Sequence, residues 1–267
     1  MNENKTIWIA LPVFNEWPAI KNLIENLQDV LQSEFDDYMI VICDDGSTDG
    51  SKDFINQLGK DEKIHVIRHL YNRGLADAIR DIFEYVSENG KTGDVLVRMD
   101  GDATHNPIYL KELIDEISEN CDVAVASRIK TNDRQLSIVR RAYSLLARYF
   151  VRLFFPVPKI SEYTGGFRAY SVEIIQKAFK VYGGSFIQLG SFGFVCTFEK
   201  LIKLSLINAK FSEVPFELEY ENKTAESKMV PWITILGYIL LIPVIYWPKT
   251  GWKKRTSKLY GIIHVWI

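Results

Sequence analysis

The sequence predicts an α/β fold in which a mostly parallel sheet is covered by helices on both faces. In the first half of the 267-residue chain, short apolar segments alternate with longer segments of helical periodicity. The apolar segments are uniformly hydrophobic, which is typical of parallel strands buried on both sides. Polar loops follow three of them, and ligands of such sheets bind at the carboxyl ends of the strands.

Strands and helices are predicted in alternation along the first half. The predicted strands are "TIWIALPV" (6–13), "YMIVIC" (38–43), "KIHVIRH" (63–69), "DVLVRM" (94–99) and "CDVAVAS" (121–127), and the helices between them cover 16–32, 51–58, 74–88 and 107–118. In the second half, helical patterns occur around 171–179 and 192–205, and a strand-like segment follows at 209–220.

Composition excludes several classes of protein. With 47% hydrophobic and 25% charged residues, the chain can bury the core of one large domain. A net charge of −2 gives no reason to expect a nucleic-acid partner. Cys43, Cys121 and Cys196 lie far apart in apolar surroundings, which indicates reduced, buried thiols. Residues 1–30 lack the pattern of a secretory signal peptide.

Two carboxylates follow the fourth predicted strand in "VRMDGDATHNP" (97–107). Residues two apart on a strand point the same way, so Asp100 and Asp102 can reach one cation, and carboxylate oxygens favour Mg²⁺ or Mn²⁺. Gly101, between them, leaves room for a ligand to approach the backbone. Alternatively, both acids are solvated loop residues or caps of a helix that begins near Pro107, for which Asn106 suits the N-cap position.

Two later segments indicate contact with a membrane. Residues 137–155 form a helical pattern in which Arg141, Arg148 and Arg152 share one face, opposite apolar side chains. Residues 230–247 carry no charge and precede a basic cluster, which favours the cytoplasmic side of a bilayer. We therefore expect a membrane-associated tail at 230–267. A buried core helix is the alternative, and a single span is not distinguished from helices lying in the interface.

Four motifs in order resemble those of the inverting glycosyltransferases of family 2. They are "LPVFNE", "CDDGSTDGS", "NRGLADA" and the Asp-x-Asp of "MDGDA". The resemblance implies a glycosyltransferase A-type catalytic domain over 1–229. It also implies that a nucleoside of a nucleotide sugar, of the GDP-mannose or UDP-glucose class, is held by Pro12, Phe14, Glu16, Asp44 and Asp45.

The same resemblance assigns Asp100 and Asp102 to a Mg²⁺ or Mn²⁺ ion on the donor diphosphate. It also implies that Asp102 is a catalytic residue. Gly101 would adjoin the donor. The residue two positions after the second aspartate reaches the metal in the family, and here it is Thr104.

The downstream half is most similar to the polyprenyl-phosphate sugar transferases of the family, the dolichol-phosphate mannose synthase type. The resemblance rests on "RRAYS", "TGGFRAY" and "AESKM". It implies that Arg128, Arg140 and Ser144 bind the phosphate of a polyprenyl acceptor, and that Lys228 binds the donor diphosphate. A lipid phosphate is already anionic, so it can attack the sugar without a strong general base, and in-line attack inverts the anomeric configuration.

The chain departs from the family pattern at a few positions. Asn222 stands where an arginine is common, Ala225 replaces a glycine, and Glu162 replaces an aspartate. Two other functions remain open: transfer to a hydroxyl acceptor in polysaccharide or glycolipid synthesis, and a catalytically silent membrane protein that binds nucleotide sugars. The oligomeric state is open, and the four histidines are expected to be surface or packing residues.

Overall fold

The structure is a computed structural model, and it describes residues 5–128, 149–151, 153–155, 160–217, 231–247, 251–253, 255 and 256. Seven strands in these ranges form one sheet in the order β3-β2-β1-β4-β6-β5-β7. Their bounds are β1 Ile7–Val13, β2 Tyr38–Asp44, β3 Ile64–Arg68, β4 Val95–Arg98, β5 Val123–Ser127, β6 Arg168–Ser171 and β7 Phe211–Pro215. All five strands expected in the first half are present.

The sheet is mostly parallel, as predicted. β1 pairs in parallel with β2 and β4, β2 with β3, and β5 with β7. The exception is β6, which runs antiparallel between β4 and β5. The sequence did not predict this strand, because Arg168–Ser171 is only four residues long and begins with a charged residue. Because β6 is antiparallel to both of its neighbours, β4 and β5 run in the same direction, and their carboxyl ends lie at the same edge of the sheet.

Helices cover both faces of the sheet. Their bounds are α1 Ala19–Glu34, α2 Gly50–Leu58, α3 Leu75–Asn89, α4 Leu110–Glu116, α5 Val172–Tyr182, α6 Val195–Leu206 and α7 Pro231–Tyr246. Alternate residues of β1 enter two different cores, Ile9 facing the α1 side and Trp8 the α3 side. This alternation is why the strand is apolar throughout.

Polar side chains cap several helices. Asn106 accepts a hydrogen bond from the backbone N–H of Ile108, and Pro107 opens a short 3₁₀ turn that leads into α4. This part of the sequence prediction is confirmed. Asp49 caps α2 in the same way through the N–H of Ser51. The capping residue of the helix after β4 is thus Asn106, and the cap does not require Asp100 or Asp102.

The apolar segment at 230–247 contains a 16-residue helix, α7, that packs on the rest of the protein through one face. Tyr238, Leu241 and Ile245 are buried. Gly237 lets the helix approach α6 closely, since a Cβ there would overlap Val195. Within the described ranges, no helix combines the length and the apolar character needed to cross a membrane.

The arginine-rich segment predicted at 137–155 lies largely outside the described residues. Its described end, residues 149–151 together with 153 and 154, is helical. Tyr246 of α7 donates a hydrogen bond to the carbonyl of Phe154 over 2.6 Å, so this end packs against the end of α7. Arg141, Arg148 and Arg152 themselves lie outside the described residues.

Candidate active site

The loops after β1 and β2 are joined at the carboxyl edge of the sheet. The N–H of Asp45 donates to the carbonyl of Val13 over 2.8 Å. Across the same gap, the N–H of Asn15 donates to Ser47 Oγ over 3.1 Å, and that of Glu16 donates to Ser51 Oγ over 3.0 Å. These bonds place Pro12, Phe14 and Glu16 beside Asp44 and Asp45, so the residues predicted to hold a nucleoside occupy one region.

Gly46 makes the turn after β2 possible. Its φ is +75°, a left-handed conformation that favours glycine. A Cβ at this position would lie 2.6 Å from the carbonyl carbon of Tyr71. The glycine of the "DDGS" motif therefore lets the loop after β3 close against the loop after β2.

Asp44 and Asp45 are almost completely buried and hold these loops together. Asp44 accepts from the N–H of Ser47 over 2.9 Å and lies 3.4 Å from Nε of Arg68. Asp45 accepts from the N–H groups of Arg73 and Gly74, each over 2.8 Å. The structure gives both carboxylates a structural function, and their contact with a nucleoside stays a prediction.

His69 is a site residue that sequence reasoning missed. It is 6% exposed, and its ring nitrogens lie 2.6 Å from Asp45 Oδ1 and 3.0 Å from Asp81 Oδ2. The imidazole therefore connects the "DDGS" loop to α3. The position of His69 at the end of a predicted strand is a weak sign of a role in the site. Nothing in the sequence predicts that Asp81 lies beside it.

Asp100 and Asp102 lie just beyond β4, at the same edge. The hydroxyl of Thr104 donates to Asp102 Oδ1 over 2.6 Å, and the Thr104 N–H donates to the same atom over 3.3 Å. Thr104, which stands at the position of a metal ligand in the family, thus orients Asp102, a predicted ligand. Asp100 is paired with Arg98, a buried residue at the end of β4 that sequence reasoning also missed.

His105 is a buried residue that holds the backbone of the acid pair in place. It is 4% exposed, and its Nδ1 accepts from the backbone N–H of Asp100 over 3.0 Å. Burial lowers the pKa of His105, although the charges of Asp100 and Asp102 oppose this shift. A neutral ring with Nδ1 as acceptor carries its proton on Nε2, which lies 3.7 Å from Asp100 Oδ2. Like His69, this histidine is a packing residue that also adjoins the site.

Gly101 is buried against the chain itself. A Cβ there would lie 3.2 Å from the carbonyl oxygen of Pro12 and 3.2 Å from Cγ2 of Val13. The glycine therefore lets the acidic loop approach the loop after β1. Its predicted contact with a donor stays a prediction, and the close approach that the structure describes is made by protein atoms.

The acidic edge fits a divalent ion that is shared with a substrate. Asp100 and Asp102 are partly exposed at the end of one strand, and carboxylate oxygens suit Mg²⁺ or Mn²⁺. Over the described ranges, no three His, Cys, Asp or Glu side chains are grouped as a complete metal site. Mg²⁺ and Mn²⁺ bound by one or two carboxylates commonly take their remaining ligands from water and substrate phosphates.

Arg128 follows β5 and is held by a buried carboxylate. Its Nη2 lies 3.0 Å from Oε2 of Glu162, and its Nε donates to the same oxygen over 3.1 Å. Oε1 of Glu162 accepts from the Thr164 hydroxyl over 2.7 Å and from the N–H groups of Thr164 and Gly165, each over 3.0 Å. Glu162, which stands where the family usually has an aspartate, thus holds both Arg128 and the "TGG" turn in place. Glu162 and Arg128 together form the Arg128–Glu162 clamp.

Charge interactions set the protonation of this clamp. Burial raises the pKa of Glu162, but the charge of Arg128 and the hydrogen bonds of Thr164 outweigh it and hold the pKa below its ordinary value. Glu162 is therefore ionised at neutral pH and pairs with Arg128. The Arg128 side chain is still 22% exposed, so part of it faces solvent at the edge of the sheet.

The remaining predicted site residues are not placed. Arg140, Ser144 and Lys228 lie outside the described residues, as do Asn222 and Ala225. The structure thus brings together the predicted nucleoside residues, the acid pair and Arg128, and leaves the other predicted phosphate ligands as expectations.

The fold and its acidic edge define a glycosyltransferase A-like α/β protein. Glucosyl-3-phosphoglycerate synthase from Mycobacterium tuberculosis, solved with phosphoglyceric acid, superimposes with a TM-score of 0.60 at 16% identity over 89% of this chain and 80% of that one. A mannosyltransferase from Pyrobaculum calidifontis, solved with GDP-mannose and Mn²⁺, superimposes with a TM-score of 0.52 at 15% identity over 79% of this chain and 55% of that one. At these identities the likeness concerns the fold.

The chain belongs to glycosyl transferase family 2, whose sequence pattern matches residues 8–179. A dolichol-phosphate mannosyltransferase from Pyrococcus furiosus is 28% identical over 224 residues, which are 83% of this chain and 58% of that protein. An undecaprenyl-phosphate 4-deoxy-4-formamido-L-arabinose transferase from Klebsiella pneumoniae is 28% identical over 150 residues, 55% of this chain and 43% of that protein. The chain thus spans about half the length of these two relatives.

Proposed function

We propose that this protein transfers one sugar from a nucleotide sugar to a polyprenyl phosphate, with inversion at the anomeric carbon. The observation that carries the proposal is the Arg128–Glu162 clamp, a fixed cation at the same sheet edge as the acid pair. Both curated relatives have a polyprenyl phosphate in their names, which supports the same acceptor class.

The acidic edge would hold the donor. A Mg²⁺ or Mn²⁺ ion held by Asp102, with Asp100 beside it, would stabilise the charge that develops on the leaving diphosphate. Solved structures of the same fold include complexes with Mn²⁺ and UDP and with Mn²⁺ and GDP-mannose. The loops ordered by Asp44, Asp45 and His69 would receive the nucleoside.

Arg128 would hold the acceptor phosphate. The phosphate is an anion at neutral pH, so its oxygen needs no general base, and the difficulty is to bring two anions together. Glu162 fixes the direction of the guanidinium through its Nε and Nη2, and guanidinium N–H groups are donors that suit phosphate oxygens. Arg140 and Ser144 are the further acceptor ligands that we propose from the family resemblance.

Aromatic contacts connect the Arg128–Glu162 clamp to α7. Tyr163, next to Glu162, packs edge-on against Phe198, and Phe198 packs edge-on against Tyr238 of α7. Burial raises the pKa of Tyr238, and the charge of Glu162 adds to the shift. A lipid phosphate bound at Arg128 could therefore extend its chain toward α7.

We propose that α7 lies on a membrane surface. Its outward face is apolar and spaced as one helical stripe, formed by Trp232, Ile235, Leu236 and Ile239, whose exposed fractions range from 42% to 67%. The sequence after the helix carries Lys249, Lys253, Lys254, Arg255 and Lys258. Such a basic cluster would attract anionic lipids, and it supports placing the catalytic domain on the cytoplasmic face.

Transfer assays test the proposal directly. The purified protein is incubated with Mn²⁺, a polyprenyl phosphate and radiolabelled GDP-mannose or UDP-glucose, and the organic extract is counted. Label in the lipid extract supports the proposal. Label only on a water-soluble hydroxyl acceptor would assign the protein to glycan synthesis, and saturable nucleotide binding without turnover would indicate a silent binding protein.

A further inference from the structure

A cavity of about 460 Å³ lies where the end of α7 meets the connection between α5 and α6. The residues that line it include Ser185, Gln188, Pro243, Trp247, Trp252 and Arg255. None of the described residues proposed to hold the donor or the acceptor phosphate lines this cavity. It is therefore a separate feature of the molecule.

The chain that follows α7 is fixed to the rest of the protein. The N–H of Gly251 donates to the carbonyl of Trp247 over 2.9 Å, and a Cβ at Gly251 would lie 2.5 Å from the Trp247 nitrogen. Trp252 is 9% exposed, and its Nε1 donates to Oε1 of Gln188 over 3.1 Å. Its ring also packs edge-on against Tyr182. These contacts make one wall of the cavity a built part of the fold.

Arg255 is positioned over this wall. Its backbone N–H donates to the carbonyl of Gly251 over 3.3 Å, and its guanidinium carbon lies 4.9 Å from the centre of the Trp252 ring. A cation above an aromatic face is held in place while its N–H donors stay available to an acceptor. The guanidinium is thus fixed at the cavity without an acceptor oxygen.

Arg255 has no counter-charge of its own in the described part of the chain. No described carboxylate forms an ion pair with it, and the segment 227–267 contains no Asp or Glu. Glu199 of α6 is already paired with Lys203, whose amine lies 5.6 Å from the centre of the Trp252 ring. Arg255 is therefore available to an anionic ligand.

The exposed apolar stripe of α7 leads into the same cavity. Pro243 and Trp247 follow Ile239 by four and eight positions, so they lie on the same side of the helix. The N–H of Trp247 donates to the carbonyl of Pro243 over 3.0 Å, which extends the helical spacing to this residue, and Trp247 is 58% exposed. Tryptophan is typical of the level of lipid headgroups. An apolar stripe that ends at a cation matches a ligand with apolar chains and an anionic head.

We propose that this cavity binds the phosphate of an anionic membrane phospholipid, with Arg255 as the ligand of the phosphate oxygens and Trp247 beside the acyl chains. Guanidinium groups suit phosphate oxygens. Such a site would hold one lipid and fix the orientation of α7 on the bilayer, whereas a basic cluster alone attracts any anionic surface. The inference rests on the membrane placement of α7 in the proposed function and does not depend on sugar transfer.

The test is isothermal titration calorimetry of the full chain with short-chain lipids dispersed as monomers, so that no charged bilayer surface contributes. Dihexanoylphosphatidylglycerol should bind saturably, with one molecule per protein. Dihexanoylphosphatidylcholine has no net charge and glycerol 3-phosphate has no acyl chains, so each should bind at least about tenfold more weakly.

Two variants and a matched control locate the site. R255Q should weaken binding of the phosphatidylglycerol at least about tenfold, because a charge-assisted hydrogen bond is lost. R255K keeps the charge and should weaken it by only about threefold. The control is Lys180→Gln, an equal loss of charge at an exposed residue in the last turn of α5 that does not line the cavity. Its affinity should stay within about twofold of wild type.

Four outcomes would overturn the proposal. Equal losses in R255Q and K180Q would show that general charge binds the lipid. Equal affinities for the phosphatidylglycerol and glycerol 3-phosphate would assign the cavity to a free phosphate, and equal affinities for the two lipids would show that the anion is not recognised. Binding to anionic vesicles without saturable binding of monomeric lipid would also refute the site and leave the membrane placement of α7 standing. The titration contains no sugar donor, so failure of transfer would not alter its result.

Discussion

At the scale of single residues, the site is made of carboxylates whose surroundings give them different functions. The oxygens of Asp45 are hydrogen-bonded to backbone N–H groups and to His69, so this carboxylate holds the loops after β2 and β3 in place. Glu162 fixes Arg128, and Asp100 compensates Arg98. Asp102 is oriented by Thr104 at the strand end. The residue type alone did not distinguish these functions, whereas the hydrogen-bond partners do.

The first prediction concerns Asp102. Changing it to Asn removes the charge that would hold a divalent ion, so transfer and Mn²⁺-supported nucleotide binding should both fall by at least about 100-fold, since a metal on the diphosphate contributes several kcal/mol. The matched control is Asp53→Asn on the exposed surface of α2, which should leave both unchanged. Full activity in D102N would show that the metal assignment is wrong.

The second prediction concerns Glu162, whose pKa is held below its ordinary value. The unfolded chain therefore takes up the proton first as the pH falls, and the stabilisation by Glu162 is complete at neutral pH and lost as the pH falls through the lowered folded value. E162Q should lower the free energy of unfolding by about 2–4 kcal/mol at pH 7, because Arg128 loses its buried counter-charge. It should also raise the KM for the acceptor.

Urea denaturation at pH 7, 5 and 3.5 measures the effect on stability. The difference between E162Q and wild type should be the same at pH 7 and 5 and should shrink at 3.5. Exposed Glu84 on α3 provides the control, and E84Q should match wild type at all three values. A difference that grew on acidification would contradict the ionised pair.

At the scale of elements, the sequence predicted the parts of the fold that local patterns encode. Uniform apolarity identified five strands, and helical periodicity identified the helices between them, because burial on one or two faces imprints a repeat on neighbouring residues. The motifs also placed Asp44, Asp45, Asp100 and Asp102 at one edge, since the carboxyl ends of parallel strands meet there.

What the sequence did not predict depends on partners that are distant along the chain. β6 is too short and too polar to show a strand pattern, and its place between β4 and β5 comes from pairing across more than forty intervening positions. Glu162 reaches Arg128 across 34 positions, and His69 reaches Asp45 across 24. Such pairs form only in the tertiary fold, so no local pattern in the sequence predicts them.

The third prediction belongs to α7. Placing aspartate at Ile235 and Ile239, both on its exposed apolar stripe, should weaken binding to anionic vesicles at least about tenfold, because two apolar contacts are lost and two repelled charges are added. Vesicle co-sedimentation measures the change. Leu70→Asp, at an exposed apolar residue after β3, is the control and should bind as wild type does.

At the scale of the whole molecule, the proposed donor site, acceptor clamp and membrane surface follow one another across the fold. The acid pair ends β4, Arg128 ends β5, and the aromatic contacts from Tyr163 through Phe198 lead to α7. The outward stripe of α7 is a separate surface from the side that carries Tyr238. Membrane contact and transfer chemistry should therefore be separable by mutation.

The fourth prediction tests that separation. The variant with aspartate at Ile235 and Ile239 should transfer sugar to a short, water-soluble polyprenyl phosphate at the wild-type rate, because both changes lie on the exposed face of α7 and not on the buried face that carries Tyr238. With a long polyprenyl phosphate in vesicles, its rate at low lipid should fall about as much as its vesicle affinity, at least about tenfold, and should recover as vesicles are added. Equal losses on both acceptors would show that α7 acts on the active site itself and not through the membrane.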